Sequence, residues 1–128
     1  MREILFRGKE KNSGKWIYGD LRHISDSHGG YILCIVDNTN GRNNDVIGVE
    51  VVPETVGQYI GVPDKNGVKI FEGDILRDDD TEENGVVVFK EGEFCVVFDN
   101  VITHGISAIA YRCYIKGNIH DNPELMEG

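Results

Sequence analysis

The sequence predicts an all-β fold with short helical turns at most. Three observations carry this. The apolar segments are short and rich in β-branched and aromatic residues. Turn chemistry recurs about every 8–12 residues, the spacing of sandwiches and small barrels. No long amphipathic helical stretch occurs anywhere in the 128 residues.

Glu3–Arg7 suits a first strand, and the following GKEKNSGK is a turn or loop. Lys15–Ile24 alternates through Trp16 and Tyr18, then slips at Gly19-Asp20, which reads as a bulge or sharp bend. Ser25–Gly30 is a loop by composition. Tyr31–Val36 (YILCIV) is an apolar, β-forming run, hence a buried strand. Asp37–Asp45 is polar, asparagine-rich and expected to be mobile. Val46–Val52 resumes as a strand.

The stretch from Val52 to Leu76 joins two sets of strands. Pro53-Glu54-Thr55 can start a single helical turn. Gly57 and Gly61 oppose anything longer, so Thr55–Val62 reads as an irregular strand. Asp64-Lys65-Asn66-Gly67 is a hairpin signal, because Asn-Gly readily takes positive φ. Lys69–Leu76 is the return strand, re-aimed at Glu72-Gly73-Asp74. We read Gly57, Gly61, Asp64, Asn66, Gly67, Gly73 and Asp74 as architectural turn and bulge residues.

Asp78–Asn84 holds five acids in seven positions and reads as a solvated loop. Gly85–Lys90 and Glu93–Phe98 flank Glu91-Gly92 and form a second hairpin. Asp99–Gly105 is a loop. Ile106–Ile115 admits a helix by its alanines, but the alternation of Ile109, Tyr111, Cys113 and Ile115 favours a strand. In the tail, Asn122-Pro123 begins a turn. The expected organisation is an N-terminal β-unit over residues 1–52 and a C-terminal small SH3-like barrel over 53–128, either as two units or as one continuous domain.

Composition narrows the function classes. No apolar run reaches the length of a membrane span, and the charged N-terminus lacks the apolar core of a secretion signal. Cys34, Cys95 and Cys113 are odd in number and widely spaced, so they suggest a reducing cytoplasm and no disulfide framework. Thirteen Lys plus Arg against 22 Asp plus Glu disfavour a phosphate backbone as partner.

No P-loop, GxGxxG, GxSxG or HExxH motif is present, so we expect no enzyme, no cofactor and no metal site. His23, His28, His104 and His120 show no paired spacing for metal. A nucleophilic pair would need Cys95 or Cys113 near His120, whereas a thiol in an apolar strand is usually inert. Phe6, Trp16, Tyr18 and Tyr31 with Arg7, Lys15 and Arg22 form the sole basic-aromatic set for nucleic acid, and core packing explains the aromatics better. Trp16, Tyr18, Tyr59 and Phe71 are the candidate interface aromatics.

Three motifs in order, FRG with WIYGD, TVGQYIG with DKNG and IFEGDI, and GNI with NPEL, make the chain resemble the YopX-type family of phage and prophage proteins. The resemblance covers nearly the whole chain, apart from Asp37–Asp45 and Val101–Arg112. It implies a small, β-rich, oligomeric protein of phage or prophage origin. It carries over no activity and no catalytic residue. The expected function is a non-enzymatic accessory factor that binds host or phage proteins and copies of itself. The alternative is nucleic-acid binding in phage DNA metabolism.

Overall fold

The computed structural model describes residues 3–37, 48–99 and 101–127. These residues are mostly strand, in antiparallel sheets, with one short α-helix among them. The chain divides into two compact units, Met1–Gln58 and Tyr59–Gly128, with the boundary inside the strand Gly57–Pro63.

In the first unit β1 (Phe6–Lys9), β2 (Trp16–Ser25), β3 (Tyr31–Val36) and β4 (Val49–Glu50) are ordered β4-β3-β2-β1. The other side of β1 receives Gly57 and Gln58, the first residues of β5 (Gly57–Pro63). Cys34, Ile35, Val36 and Val51 are buried. The first strand starts later than the sequence suggests. Ile4 is 60% exposed, and pairing begins at Phe6, where partners exist on both sides.

Gly19 is not a bulge. The pairing of β2 passes from β1 to β3 between Gly19 and Asp20 without a register shift. A Cβ at Gly19 would lie 2.0 Å from the Val36 carbonyl oxygen, so the position admits only glycine. Pro53–Thr55 forms the expected single turn, of 3-10 type. Its Thr55 hydroxyl accepts the Lys9 N–H at 2.9 Å and donates to the Val52 carbonyl at 2.6 Å. Within the described part of the strand expected over Val46–Val52, pairing covers Val49–Glu50, with an isolated bridge at Val51. Residues 46 and 47, and nearly all of the expected polar loop at 37–45, lie outside the described residues.

In the second unit the remainder of β5 pairs with β6 (Lys69–Phe71). β7 (Asp74–Asp78), β8 (Glu83–Lys90), β9 (Glu93–Phe98), β10 (Val101–Thr103) and β11 (Cys113–Asn118) form a sheet ordered β10-β9-β8-β7-β11. Ile70, Leu76, Val87, Val96, Phe98 and Cys113 are among its core residues. Nothing among the described residues joins β10 to β11, so no closed barrel is found where a small barrel was expected.

Both hairpins lie where the turn residues place them. At Asp64–Gly67 only Gly67 takes positive φ (81°). The Gly67 N–H donates to the Asp64 carbonyl at 3.0 Å and the Asp64 N–H to the Val68 carbonyl at 2.8 Å. This is a type I turn closed by a glycine bulge, instead of the mirror-image turn that Asn-Gly favours. Glu91 and Gly92 both take positive φ, 54° and 83°, and close β8 against β9.

Two expectations fail here. Ile106–Ile115 is not one strand. α1 (Ile106–Ile109) and a 3-10 turn (Ala110–Arg112) precede β11. Ile106, Ile109 and Ala110 are buried at spacings of three and four, while Tyr111 is 69% exposed, so the helical period wins over the alternation. The acidic run is not wholly solvated loop either. Asp78 ends β7 at 2% exposure, and Glu83-Asn84 opens β8.

Candidate partner-binding cleft

Asp78 stands opposite Cys113 in the β7–β11 ladder, which brings Arg112, one residue earlier, over its carboxylate. The Arg112 Nε donates to Asp78 Oδ2 at 2.9 Å, and Asp78 Oδ1 accepts the Asp80 N–H at 3.0 Å. Burial raises the Asp78 carboxyl. The Arg112 guanidinium and the Asp80 and Thr81 N–H groups outweigh that and hold it below its ordinary value.

This pair lies at one side of a cavity of about 210 Å³. Thr81 and Glu83 come from the acidic turn and the start of β8; Phe98, Val101 and Thr103 come from β9 and β10. Val101 stands opposite Phe98 and Thr103 opposite Val96, so both project from the core side of the sheet. Yet Val101 is 65% exposed. The cavity therefore opens beside an uncovered apolar margin at the β10 edge, facing the residue that leads into β11.

A second cavity, of about 290 Å³, is lined by Arg77, Glu82, Asn84, Asp99 and Met126, among others. Arg77 and Asn84 in its lining are paired with neighbouring groups. Arg77 Nη1 donates to the Glu82 carbonyl at 2.9 Å, and its Nε lies 3.5 Å from Asp79. Asn84 Nδ2 donates to the Leu125 carbonyl at 3.0 Å, fastening the 3-10 turn Pro123–Met126. We read this cavity as the lock of the C-terminal tail.

The turn residues of the central stretch are structural in their bonding. Asp64 Oδ1 accepts the N–H groups of Asn66 and Val68, both at 2.9 Å. Asp74 Oδ2 accepts the Phe71 N–H at 2.7 Å, across the turn at Gly73 (φ 93°). Gly61 (φ 100°) sits at the irregularity in the β5–β6 ladder. Gly57 lies within β5 opposite Arg7, in a strand and not in a turn.

The interface aromatics differ in exposure. Trp16 is half-buried beneath Arg7 and Lys9, 4.5 and 5.5 Å from its ring. Tyr18 is 40% exposed. Tyr59 and Phe71 are buried, their ring centroids 5.8 Å apart. Tyr31 is exposed and its ring lies 5.4 Å from that of His23.

His104 contacts Glu93 on the surface. All three cysteines are buried free thiols. Burial, helped by the Asp78 charge, pushes the Cys113 thiol up to about 11, and burial with Glu93 raises Cys95, so neither is a ready nucleophile. Among the described residues no group of three or more His, Cys, Asp or Glu could hold a metal ion.

Charge is unevenly shared. Residues 1–58 carry seven Lys plus Arg and eight Asp plus Glu, whereas residues 59–128 carry six and fourteen. The cleft thus belongs to a strongly anionic unit.

The family model for YopX protein matches residues 5–127. The chain belongs to the YopX family. Protein EF1440 from Enterococcus faecalis has a similar structure, with TM-score 0.64 and 25% identity over 99% of this chain and 100% of that one. YopX from Bacillus subtilis has TM-score 0.56 and 23% identity over 100% of this chain and 98% of that one. No curated protein matches the chain. Among the described residues no helix is long and apolar enough to cross a membrane.

Sequence reading missed Asp78 and Arg112. They are 34 positions apart, and only the β7–β11 register brings them together. One signal was present: Asp74, Leu76 and Asp78 share one face of a strand whose Leu76 is core, so Asp78 had to be buried or bent away.

Proposed function

We propose that this YopX-family chain is a phage- or prophage-encoded, cytoplasmic binding protein without catalytic activity, which works by contact with other protein chains, copies of itself included. The observation that carries this is the uncovered margin at β10, where core-side Val101 stays exposed beside the cavity. The buried thiols of Cys95 and Cys113, both raised by burial, and the internally paired Asp78 and Arg112 add to it.

The test is light scattering of the purified protein, with tagged protein used as bait in lysate of phage-induced cells. Self-association, or a specific partner that binds again when purified, is expected. A strict monomer that retains no partner would defeat the reading.

A second reading is nucleic-acid binding by the first unit. It rests on Trp16 set beneath Arg7 and Lys9 with Tyr18 exposed nearby in β2. The even charge balance of residues 1–58 also favours it over the second unit as the place for such a contact. Absence of a salt-sensitive shift with single- or double-stranded DNA at low salt would dismiss it.

A further inference from the structure

We infer that the free edge of β10 accepts an extended, lysine- or arginine-bearing segment of a partner protein as an added strand. This rests on the protein-binding reading above and names the chemistry of the partner.

The register defines the edge. Phe98 and Val101 face each other as the closing pair of the β9–β10 hairpin, so Ile102 falls in the next, non-hydrogen-bonded pair with Val97. The Ile102 N–H and C=O therefore point away from β9. No strand lies on that side among the described residues. Exposed edges are usually blunted by charge, proline or a bulge. Val101-Ile102-Thr103 has none of these.

Side chains set the second condition. A strand laid along β10 would place an apolar side chain over Val101 and Phe98, into the cavity of about 210 Å³. That would cover core-side surface now exposed.

Charge sets the third. The cavity's cation, Arg112, is already committed to Asp78, which leaves Glu83 at the lining as the charge open to a partner. Glu83 continues the acidic turn of Asp79, Asp80 and Glu82, in a unit of six basic and fourteen acidic residues. An acidic segment, or a second copy of this unit, meets repulsion there, and a basic segment meets attraction. Because β10 is only three residues long, backbone pairing supplies alignment and the charges supply much of the affinity.

The experiment uses the full chain and a fluorescein-labelled peptide alternating lysine with valine over about eight residues, read by anisotropy. Binding is expected, weakening about tenfold or more between about 50 and 300 mM salt. A peptide with glutamate in place of lysine should not bind. A lysine peptide N-methylated at alternate residues should lose about tenfold or more, since it cannot pair as a strand. Ile102→Pro should do the same from the protein side, because proline is tolerated on an edge whose N–H faces solvent. Ile102→Val should bind normally. Glu83→Gln should bind more weakly and with a shallower salt dependence.

Three results would overturn the inference: no binding, equal binding of the glutamate peptide, or indifference to both N-methylation and Ile102→Pro. So would a dimer that Ile102→Pro converts to monomer, since a second copy would then own the edge. Self-association or partner capture that survives Ile102→Pro would remove this site and leave the wider protein-binding reading standing.

Discussion

Asp64 Oδ2 accepts the backbone N–H of Ile115 at 2.9 Å, across 51 positions of sequence. The same carboxylate holds its own hairpin through Asn66 and Val68, and the Lys65 N–H reaches the Cys113 carbonyl at 2.9 Å. One buried side chain thus closes a turn and fastens it to β11. Asp64→Ala strands three backbone donors and should cost about 3 kcal/mol in urea unfolding, with an unchanged slope. Asp64→Asn should cost less, because its amide oxygen still accepts while its NH₂ group opposes one of the three donors.

Acid should weaken the second unit through Asp78. Its folded carboxyl titrates below the ordinary value of 3.8, so folding favours the ionised form. That contribution is fully present above the unfolded value and is lost as pH falls through the lowered folded value. Thermal melts from pH 6 down to about pH 3 should therefore show falling stability. In Asp78→Asn this part of the slope should flatten. At neutral pH the variant should be less stable by about 1–3 kcal/mol, since Arg112 loses its anion.

The thiols report on integrity from the alkaline side. Cys113 titrates near 11 in the folded chain, against an ordinary 9.0. Between those values the unfolded chain gives up the proton and the folded one keeps it, so stability falls as pH rises through that window. At pH 8 a thiol reagent should label none of Cys34, Cys95 and Cys113 in the native protein and all three in denaturant. Fast native labelling of any of them would contradict their burial.

Two glycines should respond differently to alanine. At Gly19 the new methyl meets the Val36 carbonyl, so β2 and β3 must separate, and a loss of about 2–4 kcal/mol is expected. At Gly67 the methyl meets open space and only the positive φ is penalised, so about 1 kcal/mol is expected. Calorimetric midpoints of the two variants compare them directly.

What could be read from the sequence was what neighbours in sequence decide. Tyr31–Val36 is a strand with the bounds its apolar run sets. The Asp64–Gly67 and Glu91–Gly92 hairpins follow from residues inside the turns, as does the single turn at Pro53–Thr55. What escaped was decided elsewhere in the chain. Gly19 resembles a bulge until the Val36 carbonyl is placed beside it. Ile106–Arg112 carries two periods at once, and only the core shows which one is used. Asp78 looked like one more solvated acid because its partner, Arg112, arrives through the β7–β11 register. That no described residues join β10 to β11 is likewise a property of the assembled sheet, which no turn signal encodes.

The charge imbalance of residues 59–128 bears on the thermodynamics of any encounter there. Fourteen carboxylate side chains against six cations gather a diffuse layer of small cations from the buffer. A basic segment that docks at this unit sets part of that layer free. The association would then draw on the mixing entropy of released ions, and a calorimeter would record little heat for a contact that salt readily dissolves.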